Sequence, residues 1–254
     1  MLRGSFLPSY GIALFLDVDG TLLEIAAAPD AVRVPAALRN TLQLAAQRED
    51  GALALISGRS IADLDRLFAP STFPASGLHG SERRDFRGHV TRIRVDHSKL
   101  QSIREQLSEW AADRPGTLLE DKGVSVALHF RNAPQFEADA HDVIGRALRA
   151  LSPTYCVLPG KCVVELAPAS CSKRAAIEAF MDESPFAGRT PVFVGDDVTD
   201  EVGFEAVNAM GGYSVHVGTG RHTAARHRFA SVTGVVAWLR ERNTRIPRFS
   251  PDAP

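Results

Sequence analysis

The first strong pattern in the chain is an unbroken apolar run, Ile12 to Leu16, that stops abruptly at Asp17 and Asp19. A short run of this kind reads as a strand buried on both faces. Gly20 supplies a turn, and Thr21 can hydrogen-bond nearby backbone as the chain leaves the sheet. Pro35 opens a helix with Leu38, Leu42 and Ala45 on one face. Leu53 to Ile56 is the next buried strand, ending at Ser57-Gly58-Arg59, and Ser60 caps a helix carrying Ile61, Leu64, Leu67 and Phe68. Phe73 to Gly77 leads into Gly77-Leu78-His79-Gly80, a loop too glycine-rich to be regular. Alternating strands and helices to this point predict a parallel, doubly wound α/β sheet.

The rhythm changes near residue 96. Ser98 is placed to cap a helix with Leu100, Ile103, Leu107 and Trp110 on one stripe. Val124, Val126, Leu128 and Phe130 then alternate with Ser125, Ala127, His129 and Arg131, the period-2 mark of a half-buried strand. A second amphipathic helix carries Phe136, Ala140, Val143, Ala147 and Leu151, with acids early and Arg146 and Arg149 late. Strands at Thr154 to Leu158 and Cys162 to Leu166 follow, separated by a Pro159-Gly160 turn. This helix–strand–strand–helix–strand–strand block, 96–167, reads as a smaller α/β insertion with an antiparallel look. The core would then comprise 1–95 and 168–246. Its rhythm resumes with a helix capped by Ser172 and holding Lys173, Ile177, Phe180 and Met181. Pro191 to Val194 is a strand ending in Gly195-Asp196-Asp197, and Thr199 caps the next helix. Tyr213 to Val217 is a further strand, and Val235, Val236 and Leu239 belong to a last helix. The proline-rich tail, 247–254, is expected to be disordered.

A chain of 254 residues can bury a substantial core, and its 44% hydrophobic and 23% charged residues are ordinary for a soluble protein. A net charge of -1 gives no electrostatic reason for nucleic acid or an anionic membrane as partner. No apolar run approaches the ~20 residues needed to span a bilayer. The N-terminus has no signal pattern, so the cytoplasm is the expected compartment. The three cysteines, Cys156, Cys162 and Cys171, form no CxxC pair and argue against a zinc site; Cys162 reads as a small buried hydrophobe in a strand.

The candidate chemistry sits where the strands end. In an open α/β sheet, ligands bind beyond the carboxyl ends of the strands. Two carboxylates as close as Asp17 and Asp19 call for a positive partner, and a divalent cation is the usual one. Asp17 could then attack phosphorus, with Asp19 placed to protonate the departing alkoxide. An Asp-rich turn is the other reading of so short a pattern. Ser57 offers a hydroxyl and exposed backbone N–H groups to a phosphate oxygen. Lys173, in the first turn of a helix, puts an ammonium at a positive dipole end. Asp196 and Asp197 can complete an oxygen-rich site of the kind Mg²⁺ prefers, with Asp200 orienting one of these ligands or Lys173.

Asp17-Val-Asp-Gly-Thr, Ser57-Gly-Arg, Lys173 and Gly195-Asp-Asp-Val-Thr-Asp200 together resemble the motif series of the haloacid-dehalogenase-like (HAD) phosphatases. The resemblance implies Asp17 as nucleophile, Asp19 as general acid/base, and Ser57 and Lys173 as phosphate contacts. It also implies Mg²⁺ held by Asp17, the backbone carbonyl of Asp19, and Asp196, with Asp197 and Asp200 behind them. Gly77-Leu-His-Gly-Ser-Glu82, Glu120-Asp-Lys-Gly123, His129-Phe-Arg131, Gly160-Lys-Cys-Val-Val-Glu165 and Gly195-Asp-Asp-Val-Thr-Asp-Glu201 are similar, in order, to motifs of the trehalose-6-phosphate phosphatases. By that resemblance Glu120, Lys122, Arg131, Lys161 and Glu165 would bind the sugar or orient its phosphate, with Gly58, Arg59 and His129 among the substrate contacts. The implied partners are a sugar phosphate and a trehalose-6-phosphate synthase. The rival readings are a phosphatase for sucrose, glucosylglycerol or mannosylglycerate phosphate, and a non-catalytic sugar-phosphate sensor. One residue departs from the family pattern: Arg174 stands where a glycine is common, so packing beside the phosphate is expected to differ.

Overall fold

The computed structural model describes residues 8, 11–25, 32–219 and 222–244, so the expected disordered tail lies outside the described residues. The first half of the core contributes β1 (Ile12–Leu16), α1 (Ala36–Arg48), β2 (Leu53–Ile56), α2 (Ile61–Phe68), β3 (Ala75–Gly77), β4 (Glu82–Arg84) and β5 (Val90–Arg92). Next come α3 (His97–Ala112), β6 (Leu118–Asp121), β7 (Val126–His129), α4 (Glu137–Leu151), β8 (Tyr155–Gly160) and β9 (Val163–Pro168). The chain closes with α5 (Lys173–Met181), β10 (Thr190–Gly195), α6 (Glu201–Ala209), β11 (Tyr213–Val217), β12 (His227–Phe229) and α7 (Val232–Thr244).

The larger sheet runs β12-β11-β10-β1-β2-β3-β4-β5. It is parallel from β12 to β3, and β4 and β5 extend it antiparallel. Its central strands are buried on both faces, which is why they read as apolar runs. Ile12, Leu14 and Leu16 join one core cluster with Leu38, Leu42 and Leu239 from α1 and α7. Ala13 and Phe15 join the opposite cluster with Ile177 and Phe180 of α5 and Phe204 of α6. The antiparallel edge adds two strands to the parallel, doubly wound sheet that the sequence predicts. Its strands, Glu-Arg-Arg and Val-Thr-Arg, are three residues each and largely polar, so they carry no periodic signal.

The smaller sheet is antiparallel, β6-β7-β9-β8. Val126, Leu128, Val164 and Leu166 pack with Leu100, Ile103 and Leu107 of α3 and Ala140, Ile144 and Leu151 of α4. The other face of this cap turns toward the carboxyl ends of the core strands.

Three local expectations change. Asp96, not Ser98, is the N-cap of α3, its carboxylate accepting from the Ser98 N–H. Thr199 does not cap a helix: Asp197 and Asp200 form a reciprocal capping box around a 3₁₀ turn that leads into α6. The β8–β9 hairpin turns at Lys161-Cys162 rather than Pro159-Gly160. Cys162 therefore sits in the turn at φ 63°, half-buried, and not within a strand. Among the described residues, no helix is long and apolar enough to cross a membrane.

Candidate active site

Parallel register brings the site together. Leu16 pairs with Val194 on one side and Leu55 on the other, so three strands finish level. Asp17 follows the first, Ser57 the second and Asp196 the third. The Asp17 N–H donates to the Val194 carbonyl at 2.9 Å, extending the ladder by one residue into the site. From another direction, the Ser172 side chain accepts from the Ala175 N–H and so starts α5 with Lys173 in its first turn.

Lys173 is 3% exposed, and its Nζ donates to Asp17 Oδ1 at 2.7 Å and to Asp200 Oδ1 at 2.6 Å. Burial disfavours its charge, but Asp17 and Asp200 more than offset this and hold the ammonium well above its ordinary pKa. Burial pushes Asp17 up, and Asp200 and Asp196 add to this while Lys173 pulls it back. Ser57 is buried; its oxygen accepts from the Arg59 N–H at 3.1 Å, leaving its hydroxyl proton for another acceptor.

Asp17, Asp196 and Asp200 each bring a carboxylate oxygen within 4.8 Å of the others. Burial, then the neighbouring Asp200, pushes Asp196 up to about 7, a crowding that a divalent cation relieves. Asp200 is already engaged: beyond Lys173, its Oδ2 accepts from the Asp196 and Asp197 N–H groups at 2.9 Å each. Asp17 and Asp196 are therefore the carboxylates with an oxygen to offer. Gly20, at φ +85°, lies so close that a Cβ there would collide with the Asp196 carboxylate. The backbone beside Asp19 thus closes onto the acidic cluster, and the all-oxygen donor set suits a hard cation.

The cap faces this cluster across a cavity of about 400 Å³, within the range of small-molecule sites. Asp17, Asp19, Ser57, Gly58, Arg59, Lys173, Asp196, Asp197 and Asp200 line it from the core, and Glu120, Lys122, His129, Arg131 and Lys161 from the cap. Glu165 is 4% exposed, its Oε2 accepting from Lys122 Nζ and its Oε1 from the Ser125 hydroxyl, both at 2.7 Å. Burial would raise the Glu165 pKa, but Lys122 and His79 hold it well below the usual carboxylate range. Glu120 bonds His129 at 2.8 Å. Burial works against its charge, yet His129 and Lys122 keep its pKa low. Arg131 donates to the Lys161 carbonyl at 3.0 Å, and both side chains are exposed at the cavity mouth. Lys161 lies in the hairpin turn, outside the strand that carries Glu165.

Two placements went beyond the sequence reading. Arg59 is folded onto Asp19, with Nε 2.6 Å and a terminal nitrogen 2.7 Å from its two oxygens. His79 enters the cavity lining from the glycine-rich loop, beside Gly58. Arg174 points away from the site to Glu205 at 2.8 Å, so it does not crowd the helix start.

A mixed α/β core with an antiparallel cap is the fold seen in phosphatases of the HAD superfamily. The fold matches a HAD phosphatase from Bacteroides thetaiotaomicron at TM-score 0.62 and 17% identity, covering 95% of this chain and 97% of that one. The C-terminal domain of the Candida albicans trehalose-6-phosphate phosphatase superposes at TM-score 0.82 and 20% identity, covering 92% of each chain. The Escherichia coli trehalose-6-phosphate phosphatase is 49% identical over 227 residues, 89% of this chain and 85% of its own. The trehalose-phosphatase family model matches residues 15–233, and the chain belongs to that family. It is an enzyme, a phosphoric monoester hydrolase.

Proposed function

We infer that the protein hydrolyses trehalose 6-phosphate to trehalose and phosphate, with Mg²⁺ as cofactor, in the cytoplasm. The observation that supports this reading is one cavity with Asp17, Asp19, Ser57 and Lys173 on its core wall and Glu120, Lys122, His129 and Arg131 on its cap wall. Residues 96–167 are the specificity module in this account, and 1–95 with 168–246 the catalytic core. The proposed protein partner is a trehalose-6-phosphate synthase, which makes the substrate.

Asp17 is the proposed nucleophile. Its carboxylate oxygen forms a bond to phosphorus as the bond from phosphorus to the sugar oxygen breaks. Asp19 gives that oxygen its proton, and trehalose leaves. Asp19 then takes a proton from water as the water oxygen attacks phosphorus, releasing phosphate and restoring Asp17. Lys173 and the Ser57 hydroxyl hold the phosphoryl oxygens, with Asp200 fixing Lys173. Asp17, Asp196 and the Asp19 carbonyl would hold Mg²⁺, which supplies charge stabilisation to the phosphoryl group when bound. For Asp19 to act, Arg59 must loosen its grip, and an incoming phosphate gives the guanidinium a second anion to bind. On the cap, Glu120, Lys122 and His129 present acceptors and donors to sugar hydroxyls, with the buried Glu165 orienting Lys122 and with Arg131 and Lys161 at the mouth.

Phosphate release with Mg²⁺ across a panel of sugar phosphates tests the substrate. A preference for trehalose 6-phosphate of about a hundredfold, ~3 kcal/mol of transition-state binding, is expected. Equal rates on sucrose, glucosylglycerol and mannosylglycerate phosphates would discard the substrate and keep the chemistry. No turnover of any would favour the sensor.

A further inference from the structure

The turn Leu78-His79-Gly80, which follows β3, is built against the phosphate-side loop. The Leu78 N–H donates to the Arg59 carbonyl at 2.9 Å, and the His79 N–H to the Ser57 carbonyl at 3.1 Å. His79 itself stands at φ 55°, ψ 26°, a left-handed conformation uncommon for a residue with a side chain. A Cβ on Gly58 would lie 2.5 Å from His79 Nε2, so the ring rests directly on that glycine. A Cβ on Gly80 would lie 2.8 Å from the Ser172 carbonyl, at the start of α5. The ring thus rests on the loop bearing Ser57, and the backbone just after it abuts the start of the helix bearing Lys173.

What the ring faces is the cap. Its Nε2 lies 3.5 Å from Glu165 Oε2, the same oxygen that Lys122 holds. Lys122 Nζ also reaches the Gly58 carbonyl at 3.3 Å. The second ring nitrogen, Nδ1, is buried without a hydrogen-bond partner among the described residues. No core hydrogen bond to the ring therefore sets its orientation; the polar group it addresses is a carboxylate on the other subdomain. A strained backbone and a bare glycine are kept where they aim this one nitrogen across the interface.

We propose that His79 is a positioning residue: it seats the cap on the phosphate-side loop through Glu165 and so presents the Lys122–Glu165 pair to the sugar. The sugar-binding role of that pair rests on the function proposed above. A sugar hydroxyl reaching Lys122 in the cavity finds a group whose orientation Glu165, itself set by Ser125 and His79, has already fixed, and preorganisation of this kind improves binding without adding a contact. His79 thereby ties recognition of the sugar to the loop that grips the phosphate.

The test is a double-variant cycle with two substrates. His79→Ala is expected to lower kcat/KM on trehalose 6-phosphate about tenfold, chiefly through KM, and to affect p-nitrophenyl phosphate far less. His79→Gln, whose amide N–H can stand in for Nε2–H, should recover most of the loss. In a Glu165→Gln background, His79→Ala should add little. Equal losses on both substrates, or independent losses in the double variant, would overturn the proposal. Hydrogen exchange on the substrate-free protein gives a readout that survives a wrong substrate or a poorly folded alanine variant. Glu165→Gln, a cap change, should speed exchange in the core loop 77–80, and His79→Gln should leave exchange near Lys122 slow. Exchange altered only around the substituted residue would overturn the seat even if trehalose 6-phosphate proves to be the substrate. Failure of the wild type to prefer that substrate, with the reciprocal exchange effect present, would overturn the substrate reading alone.

Discussion

Arg59 grips Asp19 by both carboxylate oxygens, at 2.6 and 2.7 Å, from a loop that also carries Ser57. Burial disfavours the guanidinium's charge, but this bond more than restores it and holds its pKa above the ordinary value. The fork holds Asp19 in the substrate-free site, and once released it suits a phosphate at two points, a grip that a lysine cannot reproduce. Arg59→Ala is expected to lower kcat/KM on trehalose 6-phosphate by ~10-fold or more, the loss of a two-point, charge-assisted contact to the phosphate. Arg59→Lys should remain within about threefold of the alanine variant if planar, two-point recognition is what matters. Steady-state kinetics on both variants decide it, and near-normal turnover by the lysine variant would count against the role.

Lys173 donates to two buried carboxylates at once and is the cation between them. Replacing it by methionine keeps the volume and removes the charge, leaving Asp17 and Asp200 facing each other without a counter-ion. Breaking a buried pair in this way costs about 3–5 kcal/mol. Urea unfolding of Lys173→Met without added metal should show a loss of that order, together with loss of turnover. An unchanged unfolding midpoint would mean that the pair carries no such weight.

A cation bound between Asp17 and Asp196 stabilises the folded chain by mass action. At a hundred times its dissociation constant the gain is about 2.7 kcal/mol. Mg²⁺ should therefore raise the melting temperature of the wild type by several degrees, and Asp196→Asn should abolish most of that rise. A variant that still responds fully would place the cation elsewhere.

Glu165 gives the acid side of the stability profile. Its folded pKa is depressed below the unfolded value of about 4.5. The charged form is the one favoured by folding, so its contribution is fully present above that value and fades as the pH falls below it. Wild type should exceed Glu165→Gln in unfolding free energy at pH 7, and the gap should narrow at pH 3.5. A constant gap would show that the variant acts through packing instead of charge.

The central strands were legible because burial on both faces writes them as plain apolar runs, as at Ile12–Leu16 and Leu53–Ile56. The core site was legible for a related reason: its acids and its serine follow those runs directly. The β4–β5 edge was not, since three-residue strands rich in arginine look like loop. The cap hairpin was misplaced by two residues because Pro159-Gly160 is a strong turn signal, whereas the chain turns where Cys162 adopts positive φ. Asp96 and Ser98 are both good N-caps, and only backbone geometry separates them. The Arg59–Asp19 and His79–Glu165 relationships depend on tertiary approach, which no local pattern encodes.

Chemical capture of the phospho-enzyme tests the central claim most directly. The protein is mixed with trehalose 6-phosphate and Mg²⁺, quenched, and reduced with borohydride, which converts an aspartyl-phosphate to homoserine readable by mass spectrometry. Homoserine is expected at position 17, appearing only when that substrate is present and absent from the Asp17→Asn variant. Rapid turnover of trehalose 6-phosphate with Asp17 unmodified, or with the label on another residue, would contradict it.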